Sequence, residues 1–260
     1  MINKYYLLTL LCAANMAFAD AAPADPCAGF LSVLNRPTTA DSVCVVKPWH
    51  VVGEGGYQRQ DLYPGSATGA SYPTLQLRLG LPAGNEFTVL PPNYIDQSDA
   101  AGFGATVLGL KHQFSPFGKF TYGVEGIFTL PSGSDDFGSD GLGFAANALG
   151  SYAIADNVSL SYMVGVSTLT EPTNAGGGRY TTFNPDVVLA WQPIGTLQLY
   201  AEAYAQTKTS PSTSDGYNMD AGIQYLLTDY IEVDIEYGHR LGGQLGGFSH
   251  YVGAGAGIAF

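Results

Sequence analysis

Residues 197–206 read LQLYAEAYAQ, and apolar side chains alternate with polar ones along the whole stretch. The two sets of alternate positions are Leu197, Leu199, Ala201 and Ala203 on one side, and Gln198, Tyr200, Glu202, Tyr204 and Gln206 on the other. Successive side chains of a β-strand point to opposite faces of the sheet. A period of two therefore predicts a strand with one apolar face and one polar face.

The same alternation recurs along the chain from His50 onward, and we count twelve such segments. Their approximate bounds are residues 49–60, 71–81, 85–94, 102–114, 118–130, 141–154, 157–169, 180–192, 195–208, 215–227, 229–240 and 247–260. Turns rich in Gly, Pro, Asn and Asp separate them, as expected for antiparallel strands. The sequence predicts an all-β, up-and-down fold, with twelve strands favoured over ten or fourteen.

A soluble β-sandwich also alternates, with its apolar face inside. The polar face here carries few lysines and much Gly, Ser, Thr, Tyr and Asn, which suits the wet interior of a transmembrane barrel better than an open aqueous surface. Aromatic residues also lie near strand ends, as in the girdles of membrane barrels. These residues are Tyr57, Phe87, Tyr94, Phe114, Phe120, Tyr152, Tyr162, Phe183, Trp191 and Tyr237.

The connections alternate in length. Those after even-numbered segments are tight (81–85, 115–118, 155–157, 192–195 and 228–229), whereas those after odd-numbered segments are longer (61–70, 131–140 and 171–178). Outer-membrane barrels combine short periplasmic turns with long external loops. The pattern therefore predicts a transmembrane antiparallel β-barrel with both ends of the barrel chain on the periplasmic side.

The composition excludes several other classes. Of the 260 residues 46% are hydrophobic, which is too many for a disordered chain. A formal net charge of −12 leaves no basic footprint for nucleic acid, so we expect no nucleic-acid partner. No segment approaches 18 consecutive apolar residues, so the sequence predicts no membrane-spanning helix.

The amino terminus has the features of a secretory signal peptide over residues 1–19. Lys4 precedes an apolar run, and Ala17-Phe18-Ala19 forms an A-x-A cleavage site. At the other end, Phe260 closes the last strand; in outer-membrane proteins a terminal aromatic residue is the usual recognition signal for the barrel-assembly machinery. We therefore predict export, cleavage and insertion into the outer membrane, with lipid and lipopolysaccharide as surroundings.

Residues 20–47 precede the alternating pattern and carry Cys27 and Cys44. An oxidising compartment favours a disulfide between them, with two free thiols as the alternative. Residues 28–34 allow one or two helical turns. The predicted domains are a signal peptide (1–19), a stapled segment in or beneath the periplasmic mouth (20–47) and the barrel (48–260).

Several stretches carry a resemblance to a known family: LQLRLGLPAGNE (75–86), GFGATVLGLKHQF (102–114), GIFTLPSGSDDFGSDG (126–141) and the tail from Asp215. They resemble the outer-membrane transporter family labelled "putative MetA-pathway of phenol degradation", over roughly residues 48–260. The resemblance implies uptake of aromatic or other small hydrophobic compounds. It assigns no binding residues and no cofactor.

With the apolar faces toward lipid, one set of side chains would line the lumen and a solute path. The set is Arg78, Lys111, Glu125, Asp186, Tyr200, Glu202, Tyr204, Asp220, Glu232, Asp234 and Glu236, with Glu54, Lys208 and Tyr251 on the same face. Acids outnumber bases, so a narrow bore would favour cations and neutral solutes over anions, and the tyrosines offer faces for stacking. The alternative is that these residues fill the barrel by hydrogen bonds and ion pairs, without a continuous pore.

We therefore expect a passive channel for small hydrophobic or aromatic solutes. A structural or host-contact barrel with a filled lumen is the alternative, and an outer-membrane hydrolase is less favoured. Ser249 and His250 are adjacent, so they should point to opposite faces of a strand, and the sequence contains no GxSxG or HExxH motif. The acidic loop 134–140 lacks EF-hand spacing, so we expect solvation or weak divalent bridging to lipopolysaccharide there, and no enzyme, metal or cofactor.

Overall fold

The computed structural model describes residues 26–260, so the predicted signal peptide lies outside the described residues. Its α-helix is α1 (Phe30–Val33), and two 3-10 turns cover Thr173–Ala175 and Leu245–Gly247. The strands are β1 (Val51–Leu62), β2 (Thr68–Tyr72), β3 (Gln76–Leu81), β4 (Asn85–Leu90), β5 (Tyr94–Gln97), β6 (Ala100–Phe103), β7 (Val107–Gln113), β8 (Phe120–Thr129), β9 (Gly143–Ala155), β10 (Val158–Thr170), β11 (Arg179–Ile194), β12 (Leu197–Gln206), β13 (Gly216–Thr228), β14 (Ile231–Gly242) and β15 (Phe248–Ala259). Across the described part of the chain, no helix is long and apolar enough to cross a membrane.

All strands belong to one antiparallel sheet that closes on itself, because β1 pairs with β15 from Val52 opposite Ala259 to Leu62 opposite Phe248. The twelve-stranded barrel is confirmed. Its second, third and fourth strands are each divided in two, as β2–β3, β4–β5 and β6–β7. β1 accordingly pairs with β2 along one half and with β3 along the other.

None of these three breaks was predicted from the alternating pattern. The first contains Pro73 and the second Pro91 and Pro92, which have no backbone N–H to give to a neighbouring strand. At the third, the amide of Thr106 donates to the Ser132 hydroxyl (2.9 Å) in place of a ladder partner. Because of these breaks, the fifteen strands of the described chain occupy twelve strand positions around the barrel.

Burial along the strands is inverted relative to a soluble protein. Ile235 is 53% exposed, whereas its neighbours Asp234 and Glu236 are each 7% exposed. Leu110 is 54% exposed beside Lys111 at 3%. Apolar side chains therefore cover the outside and charged side chains the inside, as the hydrocarbon core of a bilayer requires.

Two groups of outward aromatic rings lie toward the two ends of the barrel. Toward the end with the long loops, Tyr57, Tyr72, Tyr94 and Phe103 contact one another in sequence at 5.4–5.8 Å between ring centroids. Toward the end with the short turns, Phe114, Tyr122, Phe120 and Tyr162 do the same at 5.1–6.2 Å. We call these ends the long-loop end and the short-turn end. The aromatic groups fit the two interfaces of a bilayer.

Candidate functional site: a plugged lumen

Residues 26–47, which we call the plug segment, contact the inner wall of the barrel. Cys27 and Cys44 form a disulfide with their Cα atoms 5.4 Å apart, so the predicted staple is confirmed and the alternative of two free thiols is wrong. The predicted short helix corresponds to α1, whose Leu31 is buried with Leu34, Val46 and Val52. The chain then leaves the lumen at the short-turn end, where Trp49 N donates to Gly80 O (2.8 Å).

Arg78 is the main cationic anchor of the plug segment, and it is fully buried. Its guanidinium forms two hydrogen bonds with Glu86 (2.8 and 2.9 Å) and one with Glu54 (3.0 Å). It also donates to the carbonyl oxygens of Val33 and of Cys44, the latter at 3.2 Å. A buried charge is tolerated only with such complete pairing, so the wall and the plug segment satisfy one another.

Three wall carboxylates accept hydrogen bonds from plug backbone amides. Glu54 accepts from Asn35 (2.9 Å) and Arg36 (2.7 Å). Glu202 accepts from the consecutive amides of Thr39 and Ala40, both at 2.8 Å, and Glu86 accepts from the amide of Val46 at 2.8 Å. Most of the plug segment is not in regular secondary structure, so these carboxylates pair amides that would otherwise be buried without a partner.

Arg36 and Lys111 complete the ionic contacts. Arg36 makes a two-point contact with Asp234 (2.9 and 3.2 Å), and its carbonyl accepts from Gln224 (2.7 Å). Burial works against the charged guanidinium, but hydrogen bonding and attraction to Asp234 outweigh it and raise the pKa of Arg36. Lys111 donates to Ser42 O (2.8 Å) and lies 3.5 Å from Glu86.

The wall formed by β11–β14 carries an excess of acids. Asp186, Glu202, Asp220, Glu232, Asp234 and Glu236 are all buried there. Glu202 and Asp220 face each other directly across β12 and β13. Tyr251 donates its hydroxyl to Asp220 (2.9 Å). The described part of this wall therefore presents a cluster of carboxyl groups to the plug segment.

The predicted lumen residues are brought together by the structure, but mostly beneath the plug segment. All are buried except Tyr204 and Lys208, which are half-buried. Tyr200 packs with Val188 against Ala40 of the plug, so its ring is covered. Lys208 lies just beyond the end of β12.

Three further lumen residues, Glu86, Arg36 and Asp41, were not predicted from the sequence. Glu86 lies two residues before Thr88 in the stretch NEFT (85–88), so both side chains point into the lumen. The alternation alone could therefore have identified Glu86. Arg36 and Asp41 belong to a segment without periodicity, and no local pattern indicates where their side chains go.

Four cavities lie between the plug segment and the wall, and one of them (730 Å³) is lined by apolar residues such as Phe30, Val46 and Leu226 near the short-turn end. The mid-barrel cavity (250 Å³) is lined by Arg36, Thr38, Asp41, Thr88 and Glu125 among others. The middle cavity (140 Å³) includes Ser42, Thr121, Ser151 and Ser161. The mouth cavity (370 Å³) includes Lys119, Asp156 and Asn157 at the short-turn end. The plug segment therefore leaves part of the lumen unfilled.

The expected separation of Ser249 and His250 is wrong. Ser249 Oγ lies 3.3 Å from His250 Nδ1, and His250 Nε2 lies 2.8 Å from Asp61 Oδ2. The pair sits beside a shift of strand register after Asp61, which disturbs the regular alternation of side chains. The Ser249 hydroxyl donates to Asp61 O (3.2 Å), a contact that directs its proton away from the imidazole.

A closed ring of antiparallel strands with an apolar exterior and a charged interior defines a transmembrane β-barrel of the outer-membrane class. The chain belongs to the family described as "Putative MetA-pathway of phenol degradation", whose model matches residues 45–252. It is an outer-membrane protein. No curated protein matches the chain in sequence.

Solved structures share this fold at low identity. An outer-membrane channel from Pseudomonas putida F1 aligns with a TM-score of 0.67 and 10% identity, over 86% of this chain and 100% of that chain. The KdgM porin in complex with disordered oligogalacturonate aligns with a TM-score of 0.57 and 11% identity, over 80% and 99%. The NanC porin also gives 0.57 and 11%, over 80% and 98%. These likenesses establish the fold.

Proposed function

We propose that this protein is a passive outer-membrane channel for small uncharged solutes, including hydrophobic and aromatic ones. The observation that carries the proposal is the unfilled space between the plug segment and the wall, in three of the four cavities, of 250, 140 and 370 Å³. A barrel that served only as a scaffold has no need of such space. The family description, which refers to phenol degradation, supports the aromatic class.

The size of the cavities limits the solute. The middle cavity, at 140 Å³, is the smallest of the three. A dry cavity of about 150 Å³ in another protein holds one benzene molecule. The channel in this state therefore suits a solute with a single ring.

Charge limits the solute further. The carboxyl groups of β11–β14 outnumber the cations that face them, so we expect the lumen to disfavour anions. We propose that Arg78, Lys111, Glu202 and Asp234 act mainly by holding the plug segment, and that the predicted lumen residues line a solute path directly only when the plug is displaced. Glu125 is the exception, because it already lines the mid-barrel cavity.

A structural barrel with a filled lumen is the second candidate. It is favoured by the many hydrogen bonds that fix the plug segment, such as those from Glu202 to Thr39 and Ala40. Hydrolysis is not part of the proposal, because Ser249 hydrogen-bonds to a backbone carbonyl.

Flux into proteoliposomes separates the candidates. Nicotinamide and nicotinate share one ring and nearly one size, but only nicotinate is an anion. We expect the purified protein to admit nicotinamide several times faster than nicotinate, since an acidic lumen repels the anion. Flux no faster than in protein-free liposomes for both compounds would favour the filled scaffold.

A further inference from the structure

Small side chains form one continuous strip on the inner wall. We call Thr121, Ser151, Ala153, Ser159, Ser161 and Ala190 the small-residue wall. Thr121 lies opposite Ser151, and Ser151 lies opposite Ser161, in neighbouring strands. One step nearer the short-turn end, Ser159 lies opposite both Ala153 and Ala190. The strip therefore spans β8–β11 without a bulky side chain.

The plug segment leaves this strip largely uncovered. Ser151, Ser159 and Ser161 are only half-buried, whereas Glu202 and Glu232 on the facing wall are 3% and 0% exposed. The hydrogen bonds that fix the plug segment run to wall residues outside the strip, such as Arg78, Lys111 and Asp234. None of these hydrogen bonds joins the plug segment to the small-residue wall. The plug is therefore held to one side of the lumen.

The middle and mouth cavities follow the strip, whereas the mid-barrel cavity lies beyond the turn 36–41, against β3, β4, β7 and β8. The mid-barrel and middle cavities are both lined by Arg36, Thr38 and Asp41. The middle and mouth cavities share eight lining residues, which are Pro26, Leu31, Ser32, Lys119, Ala153, Ser159, Ala190 and Gln198. The space along the strip thus reaches the short-turn end, and the turn 36–41 forms its upper constriction toward the mid-barrel cavity.

Thr121 indicates independently that the middle cavity suits a molecule with a polar group. The residue is 1% exposed and lines the middle cavity. Its hydroxyl has no hydrogen-bond partner among the described residues. Buried hydroxyls are almost always paired, with protein groups or with water. The Thr121 hydroxyl is therefore available to a passing solute or to water.

We infer that solute passes the plug along the small-residue wall, with the plug segment in place. The inference rests on the proposed channel function and specifies its route. The route takes small uncharged molecules, above all a single ring with one polar group. The alanine methyls and the space of 140 Å³ accept the ring, and the hydroxyls of Thr121, Ser151 and Ser161 offer hydrogen bonds without charge.

The test is nicotinamide flux through proteoliposomes that contain Ser161→Trp, with Leu160→Trp as the matched control. Ser161 faces the cavity, whereas the adjacent Leu160 is exposed on the outer face. An indole in a cavity of this size blocks the route, so we expect Ser161→Trp to lower flux about tenfold or more. Leu160→Trp should remain close to the unsubstituted protein.

A second variant tests the route even if Ser161→Trp fails to fold. Ser161→Cys changes one atom, and its thiol should react with N-ethylmaleimide in the folded barrel, with loss of flux. The fully buried Asn218, as Asn218→Cys, should stay unlabelled.

The outcomes separate route from function. Normal flux through Ser161→Trp, or through labelled Ser161→Cys, overturns the route and leaves the channel standing. Equal loss of flux in Leu160→Trp also overturns it. Absence of flux in the unsubstituted protein refutes the channel and the route together.

Discussion

The side chains of Arg78 and Glu86 form a two-point ion pair inside the barrel, with Nε–Oε1 at 2.8 Å and Nη2–Oε2 at 2.9 Å, and both residues are fully buried. Each partner also binds the plug segment: Arg78 donates to Cys44 O, and Glu86 accepts from Val46 N. One pair of neighbouring strands therefore holds both the ion pair and the end of the plug segment near its exit from the lumen. Stability of the barrel and position of the plug are coupled through these two side chains.

Replacing Arg78 by alanine should destabilise the barrel strongly. It leaves Glu86 and Glu54 buried without their main partner, and breaking a buried ion pair in this way costs about 3–5 kcal/mol. Urea unfolding in detergent micelles measures the effect on the free energy of unfolding. The exposed Arg59 of β1 provides the control, since Arg59→Ala should change that free energy by less than about 0.5 kcal/mol. Similar losses in both variants would show that Arg78 has no special structural role.

Replacing Glu202 by alanine should loosen the turn 36–41. The variant removes the acceptor of two plug amides, each at 2.8 Å, and leaving these buried groups unpaired costs about 1–3 kcal/mol each. Because this turn is the upper constriction, we expect larger and noisier currents in planar bilayers. Glu171→Ala, in the long loop 171–178, should leave the currents unchanged. Quiet, unaltered currents in Glu202→Ala would mean that these hydrogen bonds do not hold the plug.

Loss of the disulfide should make the plug segment more mobile. Cys27 and Cys44 are 17 residues apart, and closing a loop of that length stabilises a fold by about 3 kcal/mol in the chain-entropy model. A Cys27→Ser/Cys44→Ser double variant should show faster proteolysis within residues 26–47 and faster nicotinamide flux. Reductant should reproduce both effects in the unsubstituted protein and none in the double variant. Equal proteolysis with and without the disulfide would contradict the prediction.

Phe260 should matter for assembly in cells more than for stability. Its side chain is 73% exposed at the end of the barrel, while its backbone pairs with Val51 (2.8 and 3.2 Å). Phe260→Ala keeps those backbone bonds, so refolding into detergent should be normal. We propose that Phe260 is the aromatic signal for the barrel-assembly machinery, so the amount of folded protein in outer-membrane fractions should fall severalfold in the variant. Unchanged amounts in cells would refute that role.

The strands could be predicted from sequence because their signal is local. Asp234, Ile235 and Glu236 are neighbours in the chain, and their alternation alone indicates which face meets lipid. The strand breaks at Pro73 and Pro91 also have a local cause in the sequence. Composition alone, however, does not distinguish a break within a strand from a turn between two strands. Glu86 could have been found from the parity of its strand.

The plug contacts could not be predicted in this way. Arg36 and Asp234 are 198 positions apart, and nothing in the local sequence of either indicates the other. The small-residue wall could not be predicted for the same reason. In the sequence, Ser151 and Ser161 are ordinary polar positions of two strands, and they line a cavity only because of where the plug segment lies. Long-range packing inside the lumen decides which polar residues meet protein and which meet open space.

Site-directed spin labelling tests the central claim most directly, namely that the apolar faces meet lipid and the polar faces surround a wet lumen. Labels are placed at Ile235→Cys and at Ser161→Cys in protein reconstituted in liposomes, and their collision rates with oxygen and with a water-soluble nickel complex are compared. We predict that oxygen dominates at Ile235 and the nickel complex at Ser161, because oxygen concentrates in hydrocarbon and the complex is confined to water. Access of the nickel complex to Ile235, with Ser161 reached by oxygen alone, would contradict the account.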